Sequence, residues 1–163
     1  MHLWSYPDLN ERERLRRELA KDERWVKEFL PQGRSMVLAQ ENKIMYAVDG
    51  VPLTPPIGAG KHVYELRTYR THVGKAPEWL EHFKVGLKTR EKYSKIVGLW
   101  HTDIAQLNQV AHLWAFSDLN HRAEVRAKAI QDPEWKAFLE KGYPLLAEMQ
   151  SVILTPTDFS PLK

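Results

Sequence analysis

Hydrophobic and polar positions along the chain follow several different periods, and each period predicts a type of element. Residues 62–69, HVYELRTY, alternate between an apolar and a mixed side, which is typical of a β-strand with one face in a core. A turn at HVGK follows. From Pro77 to about Lys92, apolar residues recur every three or four positions, which predicts an amphipathic helix of about four turns.

Two further apolar runs predict a β-hairpin. Residues 96–104, IVGLWHTDI, and residues 108–116, NQVAHLWAF, are rich in β-branched and aromatic side chains and are separated by only AQL. Ser117 or Asp118 is the start signal for one helical segment and the pair Asp132-Pro133 for a second, and a last strand is predicted near residues 151–155. This order is that of an α+β ferredoxin-like plait, an antiparallel sheet with its helices on one face.

The sheet is predicted to be buried on both faces. In the second hairpin strand, Val110, Trp114 and Phe116 alternate with Ala111 and Leu113, so that both faces carry apolar side chains. The helices of a plait cover only one of these faces. A second sheet is therefore expected on the other, as in a dimeric α+β barrel, in which two plaits pack sheet to sheet.

The beginning of the chain resembles a later part of it. Residues 2–25, HLWSYPDLNERERLRRELAKDERW, share ten of 24 positions with residues 112–135, HLWAFSDLNHRAEVRAKAIQDPEW. Unrelated segments of this length match at only about one or two positions. The sequence therefore predicts an internal repeat. Residues 1–48 are a first copy truncated to its second half, which is predicted to keep a strand, its helices and a closing strand. Residues 49–61, rich in Gly and Pro, are a linker, and residues 62–163 are a complete copy.

Composition excludes several classes of function. The chain has 163 residues, of which 43% are hydrophobic, so it can bury a core without disulfides. There is no Cys, which excludes thiolate metal sites and Cys nucleophiles. The 24 basic and 21 acidic residues are interspersed, which favours a solvated mixed surface over a nucleic-acid-binding one. No transmembrane window or targeting peptide is recognisable, so the sequence does not reveal a compartment.

The motifs named above, in their order, resemble those of the NIPSNAP family. VYELRTY opens the second copy, REKYSKIVGLWHTDIAQLNQVAHLWAFSDLNHRAEVRA fills its centre, and PTDFSPLK closes the chain. The resemblance implies a dimeric α+β barrel, usually with two repeats in one chain, whereas here the first βαβ part of the first copy is missing. It also implies association with mitochondria and an adaptor role if the protein is from an animal, and a cytoplasmic location if it is bacterial. It supplies no agreed catalytic residues.

Four residues on the predicted strands are candidates for chemistry: Glu65, Arg67, His101 and His112. Glu65 and Arg67 share a strand face with Tyr69, where the arginine is suited to holding a carboxylate or phosphate. The alternative is a structural Glu–Arg pair. His112 shares a face with apolar residues, so it is either an acid or base in a cavity or a core histidine with a backbone partner.

Metal and cofactor sites are not predicted. A metal site would have to use His101, Asp103 and His112 as ligands, and a haem site would have to use one of the two histidines as its axial ligand. No recurrent ligand spacing in the sequence supports either site. A pair of arginines one turn apart, Arg122 and Arg126, is expected to pair with acidic residues of its own helix rather than to form an anion-binding ridge.

Two functions remain open. The sequence favours an interaction or adaptor protein without catalysis, which forms a homodimer, has possible protein partners and binds no nucleic acid. The alternative is a small-molecule enzyme of the dimeric α+β barrel class, similar to the monooxygenases or to proteins that bind haem or an anion. An enzyme needs a pocket with convergent polar groups, whereas an adaptor needs an exposed patch.

Overall fold

The computed structural model describes residues 1–51, 53–55 and 61–162. The chain divides into two compact units, Met1–Glu41 and the remainder from Asn42. The predicted division into residues 1–48, 49–61 and 62–163 stays a prediction, and residues 52 and 56–60 of the predicted linker lie outside the described residues.

The first unit consists of helices. Helix α1 spans Leu9–Leu19, a π-helical turn spans Trp25–Phe29, and α2 spans Leu30–Met36. Asp8 caps α1 by accepting a hydrogen bond from the backbone N–H of Glu11 at 2.8 Å. The strand expected at the start of the first copy is absent, because residues 1–6 have no regular structure and no strand lies within residues 1–41 to pair with them.

The second unit is built on one antiparallel sheet. Its strands are β1 (Ile44–Ala47), β2 (Val63–Thr71), β3 (Ile96–Ile104), β4 (Gln109–Phe116) and β5 (Leu146–Leu154), in the order β1-β3-β4-β2-β5. Its helices are α3 (Ala76–Arg90), α4 (Leu119–Ala129) and α5 (Pro133–Gly142), followed by a 3₁₀ turn. Without β1, the chain order is βαββαβ and the sheet order is that of a ferredoxin-like plait, so the predicted α+β fold is confirmed.

The ends of the elements follow the local sequence. Asp118 and Asp132 accept hydrogen bonds from backbone N–H groups at the starts of α4 and α5, as predicted. The closing strand was predicted near residues 151–155, which is wrong at its start. It begins at Leu146, because β2 continues to Thr71 and offers backbone partners along this whole length.

The helices cover one face of the sheet. Strand register places Glu65 opposite Trp114 and Arg67 opposite His112, all on the helix-covered face. Helix α3 packs on β2, β4 and α5. The core on this face is mainly aromatic, with ring contacts among α3, β4 and α5, and it includes Trp79, Phe83, Trp114, Phe116 and Phe138.

The other face has a smaller apolar cluster. Tyr64, Val97 and Leu113 are buried there, and Leu162 from the C-terminal segment packs against them. A Cβ on Gly98 would lie 2.5 Å from ring atoms of Trp100, so only glycine allows this indole to lie flat on β3. A second sheet was expected to bury this face, but side chains of the same chain, such as Leu162, already bury part of it.

Candidate functional site

A buried carboxylate lies at the centre of the helix-covered face. Glu65, on β2, has no exposed surface. Arg122 binds it in a bidentate manner, with its Nε 3.0 Å from one carboxylate oxygen and its Nη2 2.7 Å from the other. Arg67 Nη1 donates at 2.8 Å, Ser151 Oγ donates at 2.6 Å, and Arg126 Nη1 lies 3.5 Å away. Donors from β2, α4 and β5 therefore surround one carboxylate.

This surrounding keeps Glu65 ionised. Burial by itself would raise its pKa, but hydrogen bonds from Arg122 and Ser151 and the charges of Arg126 and Arg67 lower the pKa to about 2. Because both carboxylate oxygens of Glu65 already accept hydrogen bonds, this residue holds arginines in place rather than acting as a free acid or base.

Arg90 is a second buried charge, and no described residue forms an ion pair with it. It lies at the end of α3 with 4% of its surface exposed. Its Nη1 donates to Ser94 Oγ at 2.6 Å, and its guanidinium lies 4.8 Å from the ring centre of Trp114 and 5.9 Å from that of Trp135. In the described part of the chain it forms no ion pair. Burial, together with repulsion from Arg126, lowers the pKa of Arg90 to about 10.

These arginines border a cavity between the sheet and the helices. Arg67, Arg90 and Arg126 line it, together with aromatic walls that include Trp79 and Trp135. Its volume is about 80 Å³, several times the roughly 10–15 Å³ that one water molecule requires. Two further lining residues, Ile130 and Tyr143, are about half exposed, so the cavity reaches the surface beside α5.

His112 lies on β4 at the cavity wall and is almost completely buried. Trp114 Nε1 donates to His112 Nδ1 at 2.6 Å, while His112 Nε2 has no partner among the described residues. Burial lowers the pKa of His112 to about 3, and the charge of Arg67 adds to this effect. The imidazole is therefore neutral, and its one hydrogen is on Nε2, because Nδ1 is the acceptor.

Tyr69 also presents a donor at the cavity wall. Arg67 Nε donates to the Tyr69 hydroxyl oxygen. Arginine has no acceptor, so the phenol hydrogen is left for an acceptor elsewhere. Burial raises the pKa of Tyr69 and keeps the phenol protonated. Together with the arginines and His112, it gives the cavity several donors.

The structure brings three of the four sequence candidates together. Glu65, Arg67 and His112 lie at or next to this cavity. His101 does not line it, since its ring lies 5.9 Å from that of Tyr46 near the opposite edge of the sheet. Among the described residues, no three His, Asp or Glu side chains form a group that would hold a metal ion.

The arginines were only partly recognised from the sequence. The expectation that Arg122 and Arg126 pair within their own helix is wrong, because Glu65 on the facing strand binds both. Arg90 was missed. It lies eleven residues after Trp79 and seven after Phe83 on the apolar side of α3, and a charged residue in such a stripe was the available signal.

Comparison with known proteins identifies the family. A family model described as NIPSNAP matches residues 1–52 and 64–161. The chain belongs to the NIPSNAP family. Among its relatives, Protein NipSnap homolog 3A of Homo sapiens is 35% identical over 164 residues, which cover 99% of this chain and 66% of that protein. Protein NipSnap homolog 2 of Mus musculus is 30% identical, and the match covers 58% of that protein. The chain thus spans about two thirds or less of these NIPSNAP relatives.

Solved structures of NIPSNAP proteins show the same fold. A NIPSNAP family protein of Agrobacterium tumefaciens has a TM-score of 0.63 at 34% identity, with 68% of this chain and 100% of that chain covered. An uncharacterized NIPSNAP domain protein of Burkholderia xenovorans has a TM-score of 0.59 at 39% identity, with 61% and 98% covered. As for membranes, none of the helices in the described ranges is long and apolar enough to span one.

Proposed function

We propose that this NIPSNAP protein binds a small organic anion in the cavity between its sheet and its helices. The observation that carries the proposal is Arg90, a buried cation that forms no ion pair with any described residue, at a cavity that Arg67 and Arg126 also line. The aromatic walls would receive the apolar part of the ligand, and the arginines its acidic group.

The charges around the cavity support an anionic ligand. Four guanidinium groups, those of Arg67, Arg90, Arg122 and Arg126, gather around one carboxylate, that of Glu65. Burying an uncompensated charge is costly, and such charges are usually paired. An anion in the cavity would provide the missing counter-charge. The lowered pKa values of Arg90 and Arg126, both due first to burial, are consistent with this excess of positive charge.

Replacement of Arg90 by methionine tests the proposal. Methionine fills similar space without charge, so Arg90→Met is expected to abolish the calorimetric binding of short-chain carboxylates and phosphonates. It is also expected to leave the melting temperature of the ligand-free protein unchanged or higher, because an unpaired buried charge is removed. Arg70→Met is the matched control. Arg70 is partly exposed and pairs with Glu148 at 3.0 Å, away from the cavity.

The two variants separate binding from folding. Loss of binding in Arg90→Met with normal stability, and normal binding in Arg70→Met, would support the proposal. Absence of binding in the unmodified protein across the anion series, or equal binding in Arg90→Met, would contradict it.

A second function, binding to another protein, is supported by strand β5. It is an end strand of the sheet, and Met149, Val152 and Ile153 on it are each at least 41% exposed. End strands with apolar side chains are typical sites of strand addition. We infer that a second copy of the chain binds there. The variant Val152→Lys should weaken self-association and leave anion binding intact, whereas Arg90→Met should do the reverse.

A further inference from the structure

We infer that the Nε2–H group of His112 contacts the ligand and selects acids with a neutral oxygen on the carbon next to the carboxylate, that is, 2-oxo or 2-hydroxy acids with a short apolar chain. This inference rests on the proposed function and specifies its ligand class. It depends on the state of the imidazole, on its position relative to the arginines, and on the number of donors at the cavity.

The imidazole is fixed in one tautomer and one orientation. Trp114 Nε1 donates to Nδ1, which places the hydrogen on Nε2. The ring of Tyr69 packs edge-on against it, with the ring centres 4.9 Å apart, and the ring of Phe83 lies at 5.0 Å. A packed side chain with an unsatisfied buried donor requires an explanation at this position. A ligand in the adjoining cavity provides one.

The donor lies next to an arginine. Arg67 and His112 are directly opposite each other on β2 and β4, and cross-strand neighbours have their Cβ atoms about 5 Å apart. Both residues line the same cavity. If the Arg67 guanidinium binds the carboxylate of a ligand, the ligand atoms next to that carboxylate are therefore within reach of His112.

The type of donor distinguishes the ligand class. The two oxygens of a carboxylate are the natural partners of guanidinium groups. The Nε2–H of His112 is neutral and calls for a further acceptor without a further charge, which a 2-oxo or 2-hydroxy oxygen supplies. The Tyr69 hydroxyl offers a second neutral donor. The cavity volume of about 80 Å³ and its aromatic walls favour a short apolar chain beyond this head group. The third oxygen of a phosphonate or phosphate ester would offer comparable acceptors, so it is included in the test.

The test compares ligands of equal chain length and nearly equal charge. Calorimetric titration of the unmodified protein at neutral pH would use pentanoate, 2-oxopentanoate, 2-hydroxypentanoate and butylphosphonate. The three carboxylic acids are fully ionised there, so charge is constant among them. We expect 2-oxo- and 2-hydroxypentanoate to bind about threefold to tenfold more tightly than pentanoate, as one additional hydrogen bond provides.

Variants of His112 assign the preference to this residue. His112→Phe keeps an aromatic ring without a donor and should lose most of the preference for 2-oxo- and 2-hydroxypentanoate over pentanoate. His112→Gln keeps an acceptor for Trp114 and a donor for the ligand and should retain the preference. In protein labelled with ¹⁵N-histidine, the Nε2 resonance of His112 should shift with 2-oxopentanoate and not with pentanoate. This measurement uses the unmodified protein, so it decides the question even if His112→Phe fails to fold.

The outcomes separate this inference from the proposed function. If none of the four anions binds, the proposed function itself fails. If pentanoate and its 2-oxo derivative bind equally in the unmodified protein, anion binding stands and the role of His112 is overturned. If butylphosphonate binds more tightly than every carboxylate, the ligand class is a phosphoryl group and the 2-oxo or 2-hydroxy acid is overturned.

Discussion

Individual residues in this protein connect elements that are distant in the sequence. Glu65 on β2 receives hydrogen bonds from Arg122 on α4 and from Ser151 on β5. One side chain thus joins the centre of the sheet to a helix and to an end strand. Because it also pairs with Arg67 and Arg126, it holds two of the cavity arginines in position.

Replacing Glu65 is therefore expected to destabilise the protein strongly. Glu65→Gln leaves the guanidinium groups of three partners without their counter-charge in a buried site, and we expect a loss of about 3–5 kcal/mol in the free energy of unfolding. Urea denaturation measures this loss. Glu148→Gln, which removes a partly exposed partner of Arg70, should cost less than about 1 kcal/mol. Similar losses in both variants would mean that Glu65 is not a structural centre.

Stability should also fall in acid, for two residue-level reasons. The unfolded chain protonates His112 near pH 6.5, whereas in the folded state its pKa is about 3. The unfolded state thus binds more protons between these values, so the free energy of unfolding decreases as the pH falls through this window. Glu65, with its ordinary pKa of 4.5 lowered to about 2, acts in the same direction between those values.

Urea unfolding at several pH values between 7.5 and 4 checks this expectation. In His112→Gln, the dependence of stability on pH between about 6.5 and 4.5 should be shallower than in the unmodified protein, because the variant lacks the group that titrates there. An unchanged slope would show that His112 is not the buried neutral histidine described above.

At the scale of elements, strand β4 and helix α4 differ in how deeply their side chains Trp114 and His121 are buried and in how many contacts these side chains make. On β4, Trp114 is buried, contacts Arg90 and donates to His112. On α4, His121 is only partly buried, and its Nδ1 accepts a long 3.3 Å hydrogen bond from the backbone N–H of Ser117. The strand therefore carries core packing and site geometry at once, whereas the exposed side of the helix carries neither.

Alanine substitutions should reflect this difference. Trp114→Ala removes a core aromatic and is expected to cost about 3–5 kcal/mol, whereas His121→Ala should cost less than about 0.5 kcal/mol. Chemical denaturation of both variants compares them directly. Equal losses would mean that the core of the sheet has been misplaced.

The sequence predicted most of the second unit because its signals are local. Alternation defined β2, the apolar stripe and Pro77 defined α3, and Asp118 defined the start of α4. The strand predicted at the start of the first copy is not formed, because its apolar pattern occurs without a neighbouring strand, and pairing is a tertiary property.

The site was predictable only where its residues share a strand. Glu65, Arg67 and Tyr69 alternate on β2, so their common face could be inferred. Arg90 and Arg126 come from two different helices, and their convergence depends on how α3 and α4 pack on the sheet. No periodicity in the sequence encodes that packing, so only the structure reveals that arginines outnumber carboxylates at the cavity.

At the scale of the whole molecule, the sheet face opposite the helices remains incompletely covered. Tyr64, Val97 and Leu113 are buried there, but Val152 is 52% exposed. The helices of the first unit carry no buried residue. These exposed apolar surfaces are what self-association would cover.

The chain is therefore expected to be a dimer or a larger oligomer. Light scattering at micromolar concentration should give at least twice the 19.1 kDa of one chain. Val152→Lys places a charge on the exposed face of the end strand and should shift the equilibrium towards the monomer, while Glu148→Gln on the same strand should not. A monomer of about 19 kDa for the unmodified protein would refute the expectation.

The surplus of arginine at the cavity has a consequence for every affinity measured on this protein. If the cavity binds anions as proposed, it acts as a single-site ion exchanger, and an incoming acid displaces chloride, phosphate or acetate of the buffer from it. Once the buffer anion saturates the site, a tenfold increase in its concentration raises the apparent dissociation constant about tenfold, which corresponds to 1.4 kcal/mol. The heat of binding then contains the heat of releasing that ion. Two laboratories using different buffers would report different dissociation constants for the same ligand, although the order of preference among ligands would be the same.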